Sequence, residues 1–228
     1  MLEVNNIYQG DCLELMKQID DKSIDLLITD PPYFMKLDYF KTRKRFQQTF
    51  SDLNVIEHFF TDVFIQIERI MKPTGRIYMF CDGQSYPMFW IYMFRFCKNV
   101  RPLIWDKKTS INGYSWRHQH ELIIFAEMPE AKPIPSGDGD ILRLNAVKVD
   151  ERTHPAEKPI KLLKQFVLKS SKEGDLILDC FAGTGSSLIA CKDIKRNFIG
   201  IEIDENYCNI ANKRLDEIKQ EIAKLESK

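Results

Sequence analysis

The chain has 228 residues, which suits one well-cored domain and is short for two. Its 44% hydrophobic and 29% charged residues are an ordinary globular composition and argue against a disordered or fibrous protein. With 33 basic and 33 acidic side chains the formal net charge is zero, so any nucleic-acid footprint must be local rather than global.

The cysteines and the N-terminal residues indicate a compartment. The six cysteines include no Cys-x-x-Cys pair, which argues against a zinc ribbon, and a disulfide framework is unexpected in a chain of this size. The first residues lack the charged start and apolar run of a signal peptide, and the apolar stretch 88–96 is short and contains Arg95. We therefore expect a cytoplasmic protein without a membrane segment.

In the first half of the chain, short apolar runs alternate with helical patterns. Residues 23–29 form an apolar run that stops at Asp30-Pro31-Pro32, which predicts a buried strand feeding a loop. The other elements predicted here are a helix over residues 54–71, a strand over 76–81, a helix over 84–97, and strands near 100–105 and 121–126.

The second half begins with an irregular region, residues 128–153, and then returns to strands and helices. The elements predicted here are a strand over residues 176–179, a glycine turn, a helix over 187–194, a strand over 196–204 and an amphipathic helix over about 205–224. Alternating strands and helices with short links predict a single α/β domain, doubly wound around a mainly parallel sheet.

The glycine turn after the strand that ends at Asp179 is a candidate cofactor site. It reads Phe181-x-Gly183-x-Gly185, an incomplete dinucleotide fingerprint and by itself a weak signal. About 20 residues later Glu202 ends the next strand, where a carboxylate can accept hydrogen bonds from the ribose hydroxyls of a nucleotide-like cofactor. Ordinary strand-to-helix packing and a solvated carboxylate are the structural alternatives.

The tetrapeptide Asp30-Pro31-Pro32-Tyr33 is more specific. Two prolines make a stiff loop without backbone donors, which leaves the Asp30 carboxylate and the Pro31 carbonyl as acceptors. Such a loop suits a planar substrate amine, whose delocalised lone pair becomes available when both of its protons are hydrogen-bonded. The exocyclic amino group of a purine or pyrimidine is such an amine, and Tyr33 would stack on that base and hold it in line.

Taken together, these motifs resemble the amino-methyltransferases of DNA. The resemblance is to the permuted group in which Asp-Pro-Pro-Tyr precedes the target-recognition segment and Phe-x-Gly-x-Gly comes last, and it covers nearly the whole chain. It implies a Rossmann-like methyltransferase sheet whose usual opening βα unit lies at the C-terminus. It also implies that residues 128–153 are a short recognition segment within one domain, residues 1–228.

The resemblance carries site roles onto individual residues. Asp30, Pro31, Pro32 and Tyr33 match the catalytic motif, and S-adenosylmethionine is the implied methyl donor. The implied cofactor residues are Asp11 and Cys12 in the N-terminal block, His154 and Lys158 in the block Thr153-His154-Pro155-Ala156-Glu157-Lys158-Pro159, and Asp179, Phe181, Gly183, Gly185 and Glu202. The block Arg117-His118-Gln119-His120-Glu121-Leu122-Ile123-Ile124-Phe125 resembles the strand before the recognition segment.

Basic residues interleaved with aromatics follow the catalytic loop over residues 36–45. Such a loop can contact phosphates beside a base rotated out of the stack, although a solvated surface loop would look the same. The candidate DNA-binding residues are Lys36, Lys41, Arg43, Lys44 and Arg45. No metal is predicted, because His118 and His120 lack a third ligand at suitable spacing.

We therefore predict direct transfer of a methyl group from S-adenosylmethionine to the N6 amino group of adenine in DNA, by a protein that works as a homodimer. Aspartate at the first motif position favours adenine, and N4 of cytosine is the alternative. C5-cytosine methylation is disfavoured because no Pro-Cys occurs. Methylation of RNA or of a glutamine amide, and a catalytically silent DNA-binding subunit, are the remaining alternatives.

Overall fold

The computed structural model describes residues 2–32, 53–108, 115–135, 137–147 and 157–226. The strands within these residues are β1 (Asn6–Gln9), β2 (Ile24–Thr29), β3 (Met71–Cys81), β4 (Lys98–Asp106), β5 (His120–Glu127), β6 (Ile141–Arg143), β7 (Leu176–Asp179) and β8 (Asn197–Glu202). The helices are α1 (Cys12–Met16), α2 (Leu53–Ile70), α3 (Tyr86–Phe94), α4 (Ile160–Ser170), α5 (Ser186–Asp193) and α6 (Glu205–Glu226).

The strands form one sheet in the order β1-β8-β7-β2-β3-β5-β4-β6. Of the described strands, β5 alone runs antiparallel to its neighbours, β3 and β4, and every other pair is parallel. The predicted mainly parallel α/β sheet is confirmed. Because β3 and β4 both oppose β5, the carboxyl ends of β2, β3, β4, β7 and β8 share one edge with the start of β5.

The central strands are buried almost along their whole length. In β2 every residue except Asp25 is buried, as is typical of strands covered on both faces. Tyr78 of β3 stacks on Phe166 of α4 with 4.3 Å between ring centroids, and its hydroxyl lies 2.7 Å from the Ser170 hydroxyl. Helix α4 is therefore anchored on the sheet by an aromatic stack and a buried hydrogen bond.

The strand predicted over residues 76–81 begins earlier in the structure, at Met71, directly after α2. Ile24 pairs with Met71 but Leu26 pairs with Arg76, so the ladder is irregular between these two pairs. This irregularity accommodates Pro73, which has no backbone donor for the ladder. The predicted break between helix and strand was wrong because sheet pairing continues on both sides of the proline.

Two short edge strands were not predicted from the sequence. Strand β1 pairs in parallel with β8, and β6 pairs in parallel with β4 inside the region predicted to be irregular. Neither strand has the combination of an apolar run and a following glycine turn that marks the equally short β7, so pairing with their neighbours defines them. Among the described residues, no helix combines the length and the apolar character needed to cross a membrane.

Candidate active site

The predicted catalytic loop and the glycine turn leave the sheet at the same edge. Asp30 follows β2, and Asp179 ends β7, which pairs with β2. Glu202 ends β8, on the other side of β7. The carboxyl ends of adjacent parallel strands are where α/β proteins bind ligands. The sheet thus brings together three carboxylates that are far apart in sequence.

Asp179 organises the turn that follows it. Its Oδ1 accepts hydrogen bonds from the Thr29 hydroxyl at 2.9 Å and from the Phe181 backbone NH at 3.1 Å, and its Oδ2 accepts one from the Ser187 hydroxyl. Burial raises the pKa of the Asp179 carboxyl to about 6. Both oxygens serve the turn itself, so the carboxylate links β2, β7 and the start of α5.

The backbone of the glycine turn and of the residues after β8 binds the Glu202 carboxylate. The Gly183 NH donates to Glu202 Oε2 and the Asp204 NH donates to Glu202 Oε1, each at 2.8 Å. Gly183 has φ +53°, and a Cβ placed there would meet no atom within 4 Å. Gly183 therefore faces open space next to a carboxylate that the turn holds in place.

Gly185 is required for a different reason. Its φ is +80°, and a Cβ there would lie 2.9 Å from the Cβ of Ala211 on α6. This close approach lets α5 begin against α6. Phe181, earlier in the turn, is half-buried, with its ring centroid 6.4 Å from that of Phe59.

The N-terminal block lies beside the glycine turn. Asp11 caps α1, since its Oδ1 accepts a hydrogen bond from the Leu13 NH at 2.8 Å. Cys12 is buried, and its thiol pKa is raised first by that burial and then by the neighbouring Cys180 and Asp11. The Gly10 NH donates to the Glu202 carbonyl at 2.9 Å, so the block lies beside the end of β8, and the cofactor roles of Asp11 and Cys12 stay predictions.

Lys158 joins the catalytic loop to the start of β5. Its ammonium nitrogen lies 2.5 Å from Asp30 Oδ2 and 3.1 Å from Glu121 Oε2. Glu121 Oε1 in turn accepts a hydrogen bond from Lys107 Nζ at 2.5 Å. The Lys158 ammonium also lies 4.9 Å from the centroid of the Phe80 ring. We call Asp30, Lys158, Glu121 and Lys107 the charge chain.

Burial makes the charge chain depend on its internal pairing. The Lys158 side chain is only 6% exposed, and an isolated buried charge is costly. Burial alone would lower the Lys158 pKa, but the carboxylates of Asp30 and Glu121 hold it above its ordinary value. Burial alone would raise the Glu121 pKa, but Lys158 and Lys107 lower it to about 2. Lys158 and Glu121 are therefore both ionised at neutral pH.

Glu157, the neighbour of Lys158, contacts the glycine-turn side of the site, whereas Lys158 contacts the catalytic loop. Glu157 Oε1 accepts a hydrogen bond from Arg214 on α6 at 2.7 Å, and Arg214 also donates to the Thr184 carbonyl at 2.8 Å. The segment before α4 therefore connects the glycine turn with the catalytic loop.

Three residues of this region were not identified from the sequence. Glu121 had a weak signal, an acidic residue at the start of an apolar run. Arg214 and Asp82 had no signal in the sequence. Arg214 reaches this region because α6 packs beside the glycine turn, and Asp82 lies there because it follows β3. One carboxylate oxygen of Asp82, Oδ2, is buried without a hydrogen-bond partner among the described residues.

Several predicted site residues lie outside the described residues, so their roles stay predictions. They are Tyr33 of the catalytic motif, His154 of the cofactor set, and Lys36, Lys41, Arg43, Lys44 and Arg45 of the basic loop. The recognition segment is described over residues 128–135 and 137–147. In the described parts of the chain, no group of three or more His, Cys, Asp or Glu side chains is placed to hold a metal ion.

Comparison with known proteins identifies the family. Residues 24–213 match the N6/N4 methyltransferase family model, described as DNA methylase. The chain is 31% identical to the type II methyltransferase M2.MboI of Moraxella bovis over 93% of this chain and 88% of the relative. It is 30% identical to the type II methyltransferase M.HinfI of Haemophilus influenzae over 95% of this chain and 69% of the relative.

A solved structure supports the fold. The crystal structure of the M1.HpyAVI–SAM complex superposes with a TM-score of 0.67 at 24% identity, covering 92% of this chain and 98% of that one. At this identity the likeness speaks for the fold alone. Because the family model covers most of the chain and two relatives match nearly all of it, the protein belongs to the N6/N4 DNA methylase family.

Proposed function

We propose that this protein transfers a methyl group from S-adenosylmethionine to the exocyclic N6 of adenine in a short DNA site. The observation that carries the proposal is the position of Asp30. Its carboxylate lies at the strand end next to the glycine turn and is held by the buried Lys158 at 2.5 Å. This arrangement places a fixed anionic acceptor beside a site that fits a nucleoside.

The residues around Gly183 fit S-adenosylmethionine. The open space over Gly183 admits a ligand close to the backbone, and Glu202 ends β8 where a ribose diol can be bound. The similar M1.HpyAVI structure is a SAM complex, which supports the same cofactor here. When bound, S-adenosylmethionine supplies an electrophilic methyl group on a positively charged sulfur.

The chain's own residues position and polarise the acceptor amine. Asp30 and the Pro31 carbonyl accept hydrogen bonds from its two protons, which favours the pyramidal nitrogen whose lone pair attacks the methyl carbon. Tyr33 stacks on the base in the same proposal. In-line transfer to nitrogen needs this alignment and electrostatic support rather than a protein nucleophile.

Adenine is preferred over cytosine because of Asp30 at the first motif position. The family comprises N6 and N4 enzymes, so N4 of cytosine is the second candidate. Residues 128–153 are proposed as the recognition segment within a single domain, and the permuted motif order is part of the same proposal. The segment is short for a DNA-binding module, so we propose a homodimer that shares the contact area.

Mapping of modified bases in DNA from cells that express the protein tests this function. The expected result is N6-methyladenine at one short motif, absent from cells that express Asp30→Ala. N4-methylcytosine at a motif would favour the second candidate. Unmodified DNA together with methylated RNA or protein would overturn the DNA proposal. Unmodified DNA from a protein that binds both S-adenosylmethionine and DNA would indicate a silent subunit.

A further inference from the structure

Glu121 has no role in the methyl-transfer scheme described above, yet it is built into the site. It is the second residue of β5, at the edge where β2 and β3 end, and it contacts the lysine that holds Asp30. Lys107 anchors it from the other side at 2.5 Å. A carboxylate that served only to hold β5 in place would not need to lie between two ammonium groups.

The geometry of the charge chain suggests what Glu121 does. Lys158 carries one positive charge between two carboxylates, 2.5 Å from Asp30 Oδ2 and 3.1 Å from Glu121 Oε2, so the two carboxylates share one ammonium. A carboxylate that shares its cation keeps more acceptor capacity for a substrate amine than one bound in a closed ion pair. The second carboxylate also fixes the lysine, which then restricts the rotation of Asp30.

We propose that Glu121 is a positioning residue for methyl transfer, which acts through the Lys158 ammonium to hold the Asp30 carboxylate oriented toward the substrate amine. This inference rests on the proposed function, in which Asp30 binds that amine. Glu121 touches neither the base nor the cofactor in this scheme. Its effect is expected on the rate of the chemical step and not on cofactor affinity.

The charged and titratable groups around the chain predict the effect of pH. Among the described residues, the groups that face Lys158 or Glu121 are Asp30 after β2, Cys81 and Asp82 at the end of β3, and Lys107 after β4. Burial, with help from Asp82, Asp30 and Glu121, raises the pKa of the Cys81 thiol to about 12, so the thiol stays neutral. Of the lysines in the charge chain, Lys158 is the one that contacts Asp30, so its charge is the one on which the rate should depend.

Loss of the Glu121 charge changes that titration in a defined direction. With both carboxylates present the Lys158 pKa lies above its ordinary value. Glu121→Gln removes one of the two, while the burial that disfavours the ammonium remains. The lysine should then lose its proton at lower pH, and the methyl-transfer rate should fall with it. In wild-type protein any alkaline fall in rate should come at higher pH than in Glu121→Gln.

The experiment is single-turnover methyl transfer by the full-length protein at saturating S-adenosylmethionine, with duplex DNA carrying the site found by base mapping. For Glu121→Gln we expect a rate about 10- to 100-fold lower at pH 7.5, an alkaline fall in rate at lower pH than in wild type, and a dissociation constant for S-adenosylmethionine within about twofold of wild type. Glu121→Asp, which keeps the charge, should restore the wild-type alkaline profile.

Glu127→Gln is the matched control, because Glu127 lies at the far end of the same strand and pairs with Arg76 at 3.3 Å. It removes a buried carboxylate from β5 and should leave the rate at saturating cofactor and its pH profile unchanged. The double variant Glu121→Gln/Lys158→Met should be no slower than Lys158→Met alone if Glu121 acts through the lysine.

Distinct outcomes would overturn the inference. An unchanged rate and pH profile in Glu121→Gln, or additive losses in the double variant, would remove the positioning role. Weaker S-adenosylmethionine binding with a normal rate at saturation would assign Glu121 to the cofactor. If Glu121→Gln alone does not fold, the double variant Glu121→Gln/Lys158→Met decides, and a rate below that of Lys158→Met would contradict the proposal. Wild-type protein that methylates no DNA would instead refute the proposed function.

Discussion

At the scale of single residues, Asp30 is the side chain on which the proposed chemistry depends. Its carboxylate is the acceptor at the end of β2, and Lys158 would keep Glu121 as a partner if Asp30 were removed. We expect Asp30→Ala to lower the turnover rate by about 100- to 1,000-fold, the range for one polarising contact, with S-adenosylmethionine affinity within a few-fold of wild type.

Titration calorimetry and incorporation of labelled methyl groups measure these two quantities. Asp25→Asn is the control, because Asp25 lies near the other end of β2 and binds Lys72 at 2.7 Å. It should cost stability without changing the chemical step. Loss of cofactor binding and turnover together in Asp30→Ala would show that Asp30 holds the cofactor.

Asp179 predicts a pH dependence of stability. Its folded-state pKa of about 6 lies above the ordinary value of 3.8, so between these values the folded protein binds the proton more tightly than the unfolded chain. The stabilisation is present at low pH and is lost as the pH rises through about 6. Relative to Asp179→Asn, wild-type protein should therefore lose about 2 kcal/mol of unfolding free energy between pH 4 and 7.

Urea unfolding of both proteins at several pH values measures this difference. Asparagine cannot titrate there, and it retains an oxygen that can accept the Thr29 and Phe181 hydrogen bonds. A free-energy difference between the two proteins that is constant from pH 4 to 7 would mean that the carboxyl is not perturbed by burial.

At the scale of elements, the two glycines of the turn should have separable roles. Gly183→Ala adds a methyl group in open space beside Glu202, so it should weaken S-adenosylmethionine binding at least tenfold while costing only about 1 to 2 kcal/mol for the left-handed backbone. Gly185→Ala adds a methyl group 2.9 Å from the Ala211 Cβ, so it should chiefly destabilise the packing of α5 on α6.

Thermal unfolding and cofactor titration of the two variants test this division. Equal losses of affinity in both variants, measured at a temperature where both are folded, would show that the two glycines share one role.

Loops at the carboxyl edge should supply the phosphate contacts. Changing Arg43, Lys44 and Arg45 together to Ala should weaken binding to all DNA sequences alike. It should also flatten the dependence of log affinity on log salt by up to about 0.9 for each phosphate that is no longer neutralised. The methylated base should stay the same. Binding measured between about 50 and 200 mM salt tests this prediction.

If the salt dependence of binding is unchanged in that variant, residues near the end of β4 become the candidates for phosphate contacts. Lys108 and Arg117 are exposed there, next to Trp116, whose surface is 93% exposed. Lys107 is a weaker candidate, because its side chain is only 16% exposed and its ammonium is bound to Glu121. The paired variant Lys108→Ala/Arg117→Ala should then flatten the slope.

At the scale of the whole molecule, cofactor binding should be linked to folding. S-adenosylmethionine at 100 times its dissociation constant should raise the unfolding free energy by about 2.7 kcal/mol, if it binds only the folded protein. In Glu202→Ala, at the same concentration of S-adenosylmethionine, this increment should shrink, because loss of a charged acceptor weakens binding by roughly 1 to 3 kcal/mol.

Urea unfolding with and without the cofactor measures the increment separately from the variant's own loss of stability. That loss is expected, since Glu202 also binds the backbone of Gly183 and Asp204. An unchanged increment in Glu202→Ala would place the ribose contact on another residue.

Local patterns in the sequence were sufficient for much of the fold. The strand over residues 176–179 and the helices that follow β7 and β8 were predicted to within about two residues. Apolar runs, amphipathic patterns and turn residues predict such elements because they act over short distances along the chain. The predicted mainly parallel sheet is confirmed, and the DNA methylase family agrees with the resemblance carried by residues 30–33 and 181–185. The roles of the individual site residues stay predictions.

Only the tertiary structure decided which charges meet. Lys158 lies between Asp30 and Glu121, and Arg214 reaches Glu157, because β5 runs back along β3 and α6 packs beside the glycine turn. The short strands β1 and β6 likewise exist through pairing with β8 and β4. Contacts between residues distant in sequence depend on how the sheet is assembled, and a one-dimensional pattern holds little of that information.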